Sequence, residues 1–217
     1  MSLPTRSPES PPPFMGLPET DQIRGMAMTA LGNGLSHAKQ YKDASSVYEA
    51  ELSMMRRNGA AEYNLLAVQA NLANTYKMEG RFEHSLKIYR DVQSGVVRLH
   101  GEEHEMALVA AINCATSLDA LQRFDEVKSL MRKKMPVARR VLGAEHDYML
   151  RMKDIYARVL YKDPGATLDE LREAVTTLED TTRIARRVLG GAHPHTVDIG
   201  ESLRYARDTL RARKTRA

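Results

Sequence analysis

A short phrase recurs along this chain at a spacing of about 42 residues, and that spacing limits what the chain can fold into. The phrase reads "KQYKDASSVYE" from Lys39, "GRFEHSLKIYR" from Gly80 and "QRFDEVKSLMR" from Gln122. Self-similarity with a period of 20–50 residues is typical of repeat architectures, in which each repeat is one supersecondary unit. A single unit of this kind cannot bury its own apolar face, so neighbouring units must stack.

Glycine-containing segments form a second landmark with nearly the same period. They read "NGAAE", "HGEEH", "LGAEH" and "LGGAH", and their glycines are spaced 42, 42 and 47 residues apart. These glycines are Gly59, Gly101, Gly143 and Gly190. A third landmark, "NLANTY" from Asn71, is answered by "NCATSL" from Asn113. Three landmarks with one period indicate an internal repeat.

Each period contains two amphipathic helices. Apolar residues between the first two glycines of the second landmark, Gly59 and Gly101, follow helical spacing. They are Leu66, Val68, Leu72, Ala73 and Tyr76. Gly80 then suits the left-handed residue that ends a helix, and a second apolar face begins at Phe82. The repeat is therefore predicted to be a helix hairpin.

We predict an all-α fold, an α-solenoid of about four antiparallel helix hairpins plus a C-terminal capping helix. The predicted helices lie near 20–38, 42–57, 62–79, 83–99, 104–121, 125–142, 146–162, 168–189 and 194–212. We therefore predict that the chain has three parts: a proline-rich flexible N-terminal tail (1–19), a repeat domain (20–212) and a basic C-terminal tail (213–217). Pro136 lies inside the sixth predicted helix and should kink or interrupt it.

The last predicted helix has one apolar stripe, and its other face is rich in arginine. The stripe consists of Val197, Ile199, Leu203, Tyr205, Ala206 and Leu210. A helix that is apolar on one side only is suited to cover the end of a repeat array. We therefore expect it to act as a cap.

The segment "NLANTYKMEGRFEHSLKIYRDV" (71–92) resembles the tetratricopeptide repeat. The segments "RRVLGAEHDYML" and "RRVLGGAHPHTV" resemble the 42-residue variety found in kinesin light chains and related repeat proteins. The resemblance extends over about residues 25–212. It implies a protein–protein interaction scaffold in which the first helix of each hairpin lines a concave groove that binds peptides.

The resemblance also implies candidate groove residues. In kinesin light chains an asparagine just before "LA" helps to hold the peptide backbone, and Asn71 and Asn113 match that position. Polar residues one turn further on are expected on the same wall, with two arginines from the following repeat. The family often has a lysine four residues before the asparagine, and here only Arg151 keeps a cation. The candidate set is Asn33, Asn71, Asn74, Asn113, Thr116, Arg151 and Arg158.

Three histidines, His104, His146 and His193, recur with the repeat. Successive hairpins would hold them in separate layers, whereas a metal site needs converging ligands, so we expect a role in the turns between hairpins. Cys114 lies in an apolar segment and is expected to be buried. Neither a nucleophile–base pair nor a glycine-rich phosphate loop is recognisable. We predict no enzymatic activity, no metal and no cofactor.

The basic residues indicate an alternative binding surface near the C-terminus. The formal net charge is +4, and Arg204, Arg207 and Arg211 form a basic stripe on the last helix. Such a stripe is usually a solvated face, but it could also bind an acidic partner, lipid headgroups or RNA. Nucleic-acid surfaces usually place stacking aromatics among the cations, and here only Tyr205 is available.

Three functions therefore remain open: a scaffold that binds a partner's peptide in its groove, a subunit docked into a larger complex by its convex face and tails, and an RNA- or lipid-associated protein. In the first two the partner is another protein, and nucleic acid is the least expected partner. The chain has no apolar run of about 18 residues, no secretory-signal layout and a single cysteine. We expect an intracellular, cytoplasmic location.

Overall fold

The computed structural model describes residues 19–216, with side chains from 21 to 215. The tail predicted for residues 1–19 falls outside the described residues except at its last position, where the first helix begins. All regular structure in the described residues is α-helical, which confirms the all-α fold class. The nine helices are α1 (Glu19–His37), α2 (Tyr41–Arg57), α3 (Glu62–Met78), α4 (Phe82–His100), α5 (Glu105–Ala120), α6 (Phe124–Leu142), α7 (Asp147–Lys162), α8 (Leu168–Val188) and α9 (Pro194–Arg216).

The first eight helices begin and end within one residue of their predicted bounds. Pro136 does not interrupt α6, which continues through it. The ninth helix is the exception, because α9 runs four residues beyond the predicted end at 212. Residues 213–216, predicted to be tail, therefore continue the helix. Arg213 stabilises this extension by donating hydrogen bonds to the carbonyl oxygens of Pro164 (3.0 Å) and Ala166 (3.3 Å).

The chain divides after Arg81 into two compact units. In unit 1, α1 packs on α2 and α2 packs on α3. Its core contains Ala44, Tyr48 and Met55, each at most 1% exposed. Burying side chains of this size supplies most of the free energy that holds the three helices together.

Unit 2 contains α4 to α9, and each of these helices packs on the next. The first helices of successive hairpins also contact one another, as α5 does with α7 and α7 with α9. Fully buried side chains are supplied by every helix of the unit, among them Tyr89, Leu108, Met131, Leu150, Leu171 and Ile199. This arrangement is a stack of hairpins with one continuous core.

The repeated phrase begins with a residue in the left-handed backbone region. Gly80 has a φ of +78°, and the residues at the equivalent positions, Lys39 and Gln122, have φ values of +61° and +58°. Each of the three lies two residues after the end of one helix and two residues before the start of the next. The phrase is repeated because the same sharp reversal occurs in each of these three turns, whereas the turn between α7 and α8 lacks a left-handed residue.

The recurring histidines begin helices, as expected of residues in the turns. The Nδ1 atom of His104 accepts a hydrogen bond from the backbone N–H of Met106 (3.3 Å), and His146 does the same for Tyr148 (3.2 Å). His193 accepts from the N–H of His195 (3.2 Å) just as α9 begins. Each histidine thus satisfies one of the N–H groups that a helix leaves without a partner in its first turn.

The buried face of α9 differs from the predicted stripe. Ile199 and Ala206 are fully buried, but Val197 and Tyr205 are about half exposed. Ser202 is buried instead. At 100° per residue, positions 199, 202 and 206 fall on one side of the helix, whereas 197 and 205 point away from it.

None of the helices in the described part of the chain is long and apolar enough to span a membrane.

Candidate functional site

Three of the predicted groove residues line one cleft in unit 1. Asn33 lies on α1, and Asn71 and Asn74 lie on α3. The cleft has a volume of about 220 Å³. The residues that line it with the three amides are Ser36, His37, Tyr41, Tyr48, Thr75 and Met78.

Two of these three asparagines are not used by the fold. The side chains of Asn71 and Asn74 form no hydrogen bond within the described residues, and Asn74 is exposed while Asn71 is half-buried. Asn33 differs, because its Oδ1 accepts a hydrogen bond of 2.7 Å from the hydroxyl of Tyr48. An amide can donate and accept at once, so Asn71 and Asn74 can together pair with the N–H and C=O groups of another chain.

The polar floor of the cleft is held in place by short-range bonds. The Thr75 hydroxyl donates to the carbonyl oxygen of Asn71 (3.0 Å), and it also lies 3.4 Å from the hydroxyl of Ser36 on α1. Burial raises the pKa of Tyr48, so its hydroxyl keeps its proton and remains the donor to Asn33 at neutral pH. The wall is therefore fixed before any ligand arrives, which reduces the ordering cost of binding.

In unit 2 the predicted polar residues are largely engaged within the fold. The hydroxyl of Thr116 donates to the carbonyl oxygen of Ile112 (2.8 Å). Arg151 pairs with Asp147 at 3.0 Å, one turn earlier on α7, and its side chain remains about half exposed. Asn113 is half-buried on α5. Of this set, Arg151 retains the most surface with which to meet a ligand.

Arg158 is held by two carboxylates. Its guanidinium donates to Asp119 on α5 (3.0 Å) and to Asp154 on its own helix (3.2 Å), and Lys162 also reaches Asp119 (3.2 Å). Asp119 and Asp154 are both buried. This network joins α5 to α7, so breaking it would leave buried carboxylates unpaired, at a cost of several kcal/mol. Arg158 therefore has a clear structural role in unit 2.

Sequence reasoning missed several residues of the unit 1 cleft. Tyr41 and Tyr48 belong to the repeated phrase, and both line the cleft, although neither was among the predicted groove residues. Met78 lines it while more than half exposed. The available signal was the helical spacing of Asn71, Asn74 and Met78, which places them along one side of α3.

The predicted basic residues of α9 lie beside further arginines of α8. Arg204, Arg207 and Arg211 line a cleft with Arg186. Arg207 pairs with Glu179 on α8 (2.7 Å).

No group of three His, Cys, Asp or Glu side chains in the described residues is arranged to hold a metal ion. Cys114 is buried as expected, and burial raises the pKa of its thiol to about 12, so the reactive thiolate is scarce at neutral pH.

Comparisons with known proteins agree with this architecture. Residues 65–105 match the family model described as a tetratricopeptide repeat. Among curated proteins, none is a significant match to the sequence.

Solved structures with the same fold include repeat proteins of two organisms. One contains the nearly identical TPR-like repeats of a protein from Podosopora anserina described as a kinesin light chain; identity is 20%, the TM-score is 0.70, and the match covers 88% of this chain and 89% of that one. A variant of the same repeats matches with 19% identity and a TM-score of 0.73, covering 92% and 91%. BtubC (BKLC) from P. vanneervenii matches with 15% identity and a TM-score of 0.65, covering 90% and 84%.

Proteins of this fold generally act as scaffolds that bind other proteins rather than as enzymes. The repeated hairpins, their left-handed turns and the family match at residues 65–105 lead to one conclusion. The chain contains a matched tetratricopeptide repeat at residues 65–105, and its fold is similar to that of the TPR-like repeats of a protein described as a kinesin light chain.

Proposed function

We propose that this chain is a non-enzymatic interaction module that binds a peptide segment of a partner protein in the cleft between α1 and α3. The observation that carries the proposal is the pair of amides on α3, Asn71 and Asn74, which line the cleft and form no hydrogen bond within the described residues. A peptide backbone needs alternating donors and acceptors, and two adjacent amides provide both.

The chemistry of the cleft favours a peptide over a small charged ligand. Its walls combine amides and hydroxyls with Tyr41, Tyr48 and Met78, and no Asp, Glu, Lys or Arg lines it. Methionine and tyrosine adapt to varied apolar side chains, whereas the amides pair with the main chain. Asn113 and Arg151 in unit 2 remain predicted contributors to partner binding.

The test uses a partner segment identified by cross-linking mass spectrometry of the full chain in native extract. Binding of that segment is then titrated against the wild type and the double variant Asn71→Ala/Asn74→Ala. Loss of two hydrogen bonds, each contributing about 0.5–1.5 kcal/mol, should weaken affinity about tenfold. Gln69→Ala is the matched control, because Gln69 is an amide on the same helix outside the cleft.

The opposite pattern would favour docking through the exposed side of the second helices. Lys133→Glu/Arg139→Glu reverses two exposed charges on α6. If that variant loses binding while Asn71→Ala/Asn74→Ala keeps it, the α1–α3 cleft is not the binding surface. The chain would then be better described as a complex subunit held by its second helices.

A further inference from the structure

The last helix of unit 2 is covered on fewer sides than its counterparts. The first helix α5 packs against both α4 and α6, and α7 packs against both α6 and α8. In the described residues, α9 packs against α8 and α7 only. The exposed side of α8 and α9 is therefore where the second helix of a fifth hairpin would pack.

Two adjoining clefts lie along this exposed side. One has a volume of about 290 Å³ and the other about 670 Å³. They share Thr182 and Arg186 of α8 with Leu203 and Arg207 of α9, so they form one continuous groove. We call it the α8–α9 groove.

Most arginines of the α8–α9 groove already have an acidic partner. Four pairs join an arginine of the groove to a carboxylate: Arg183 with Asp180, Arg187 with Glu145, Arg207 with Glu179, and Arg211 with Asp208. Arg186 forms no ion pair within the described residues. Arg204 lies over the ring of Tyr205, 5.1 Å from its centroid, and likewise has no carboxylate partner there. Two arginines of the groove are thus available to an incoming anion.

A buried polar group without a partner lies in the same place. Thr182 lines both clefts and is 5% exposed, and its Oγ1 has no hydrogen-bond partner in the described residues. The oxygen atom itself is buried, so the two unpaired arginines, which are exposed, are the groups that an incoming molecule can reach.

Unit 2 itself shows how successive second helices meet. Arg90 on α4 pairs with Glu126 on α6 (2.9 Å), and Lys128 on α6 pairs with Glu170 on α8 (3.0 Å). A third pair, Arg123 just before α6 with Glu83 on α4 (3.6 Å), has the opposite order, so second helices of this unit meet through ion pairs of either sense. Arg186 is a cation of a second helix that has no such pair in the described residues.

We propose that the α8–α9 groove binds an acidic amphipathic helix of a partner protein, which packs where the second helix of a fifth hairpin would lie. Its carboxylates pair with Arg186 and Arg204, and its apolar face contacts Leu203. Arginine is suited to this contact because its planar guanidinium group can donate two parallel hydrogen bonds to one carboxylate. This surface lies in unit 2, and the proposal does not depend on the α1–α3 cleft of unit 1.

The groove is less suited to nucleic acid. Tyr205 is the one aromatic beside its arginines in the described residues, which is too little for a stacking platform. A helix with its own acidic and apolar faces matches both the charges and Leu203.

The test measures binding of synthetic peptides to the full chain by fluorescence anisotropy. The probe is a labelled peptide of about five turns, with Leu and Ala on one helical face and Glu on the rest. A scrambled peptide of the same composition lacks the helical spacing, and a third peptide carries Lys in place of Glu. We expect the glutamate helix to bind, the scrambled peptide to bind at least tenfold more weakly, and the lysine peptide not to bind.

The variant Arg186→Glu/Arg204→Glu should weaken binding of the glutamate helix at least tenfold. Both side chains are exposed and outside the ion pairs of the fold, so circular dichroism should be unchanged. Arg56→Glu/Arg57→Glu is the matched control, because these exposed arginines end a second helix in unit 1 and the net charge changes equally. The control should keep wild-type affinity.

Four results would overturn the proposal. If the scrambled peptide binds as tightly as the glutamate helix, the binding is general charge attraction. The same conclusion follows if Arg186→Glu/Arg204→Glu and Arg56→Glu/Arg57→Glu lose equal affinity for the glutamate helix. Tighter binding of a single-stranded RNA oligonucleotide, lost in Arg186→Glu/Arg204→Glu, would make the groove a nucleic-acid surface. A dimer in sedimentation that the same variant dissociates would identify the occupant as a second copy of this chain.

Discussion

Gly32 on α1 lies against the ring of Tyr48 on α2, and a Cβ atom at position 32 would come within 2.7 Å of two ring carbons. The ring has little room to move, because Tyr48 is 1% exposed and its hydroxyl donates to Asn33. Gly32 is the first residue of the segment "GNG" (32–34), and the absence of a side chain there makes room for the ring. This contact sets how closely α1 and α2 approach.

Gly32→Ala should therefore destabilise the protein by about 1–3 kcal/mol, since overpacking outweighs the roughly 1 kcal/mol that alanine gains in a helix. Gly34→Ala is the control, because no atom lies within 4 Å of its added Cβ. That change should be neutral or stabilising. Urea denaturation of the full chain measures both, and a Gly32→Ala protein as stable as Gly34→Ala would contradict the packing argument.

Lys39→Gly and Gln122→Gly should each stabilise the protein. Both residues occupy the left-handed region in which Gly80 stands at the equivalent turn. A side chain in this backbone region costs the folded state about 1–2 kcal/mol, which glycine avoids. Glycine also gives the unfolded chain more conformational entropy, which offsets part of this gain, so the net increase in the free energy of unfolding should be about 0.5–1 kcal/mol. Gly80→Ala should have the opposite sign. Thermal melts of the three variants test the prediction, which fails if Gly80→Ala raises the melting temperature.

Replacing Glu51 by Gln should change how stability depends on pH. Glu51 is fully buried on α2; its Oε1 accepts a hydrogen bond from Thr29, and its Oε2 has no partner in the described residues. Burial raises the pKa of this carboxyl from 4.5 to about 7. Between these pH values the folded protein keeps a proton that the unfolded chain has released, so this group's contribution to stability is lost as pH rises from about 4.5 to 7.

Glu51→Gln cannot ionise, so it should be more stable than the wild type at pH 8 by on the order of 1 kcal/mol, and the difference should shrink towards pH 5. Urea midpoints at pH 5, 6, 7 and 8 provide the measurement. Asp43→Asn, which removes an exposed carboxylate on the same helix, is the matched control for the loss of one acidic side chain. If the urea midpoints of the wild type and Glu51→Gln depend on pH in the same way, the titration of Glu51 is refuted.

Ile199→Ala should destabilise unit 2 far more than Val197→Ala. Ile199 is fully buried where α9 packs on α8 and α7, whereas Val197 is 48% exposed two residues earlier. Truncating a buried isoleucine costs about 2–5 kcal/mol, and an exposed valine should cost less than about 0.5 kcal/mol. Melting temperatures of the two variants compare them directly. Equal losses would show that α9 packs through the stripe predicted from sequence.

Removal of residues 194–217 should expose the apolar side of α8 that α9 covers. Terminal repeats need a polar outer face, so the shortened protein should aggregate or melt at a clearly lower temperature. Light scattering detects the aggregation, and thermal melts measure the change in melting temperature. A monomeric product with an unchanged melting temperature would mean that α9 is not a cap.

The sequence by itself determined the helices and where they end, because the signals for these features are local. Apolar spacing defines a helix from its own residues, and the left-handed turn at Gly80 depends on the backbone freedom of one residue. The histidine positions could be placed in turns for the same reason, since each bonds to the N–H two residues further on. The grouping of Asn71 and Asn74 on one side of α3 also follows from helical spacing alone.

Only the tertiary structure decided which face of a helix is buried and which polar groups are left to bind a partner. Val197 and Tyr205 are exposed because α8 and α7 contact the side of α9 that carries Ile199 and Ala206. Arg158 is bonded to Asp119, which is 39 residues earlier in the chain, and no local pattern reports such a contact. Whether an arginine or amide is free or already bonded depends on neighbours brought together by packing, and for that reason the unpaired Arg186 could not be recognised before the helices were assembled.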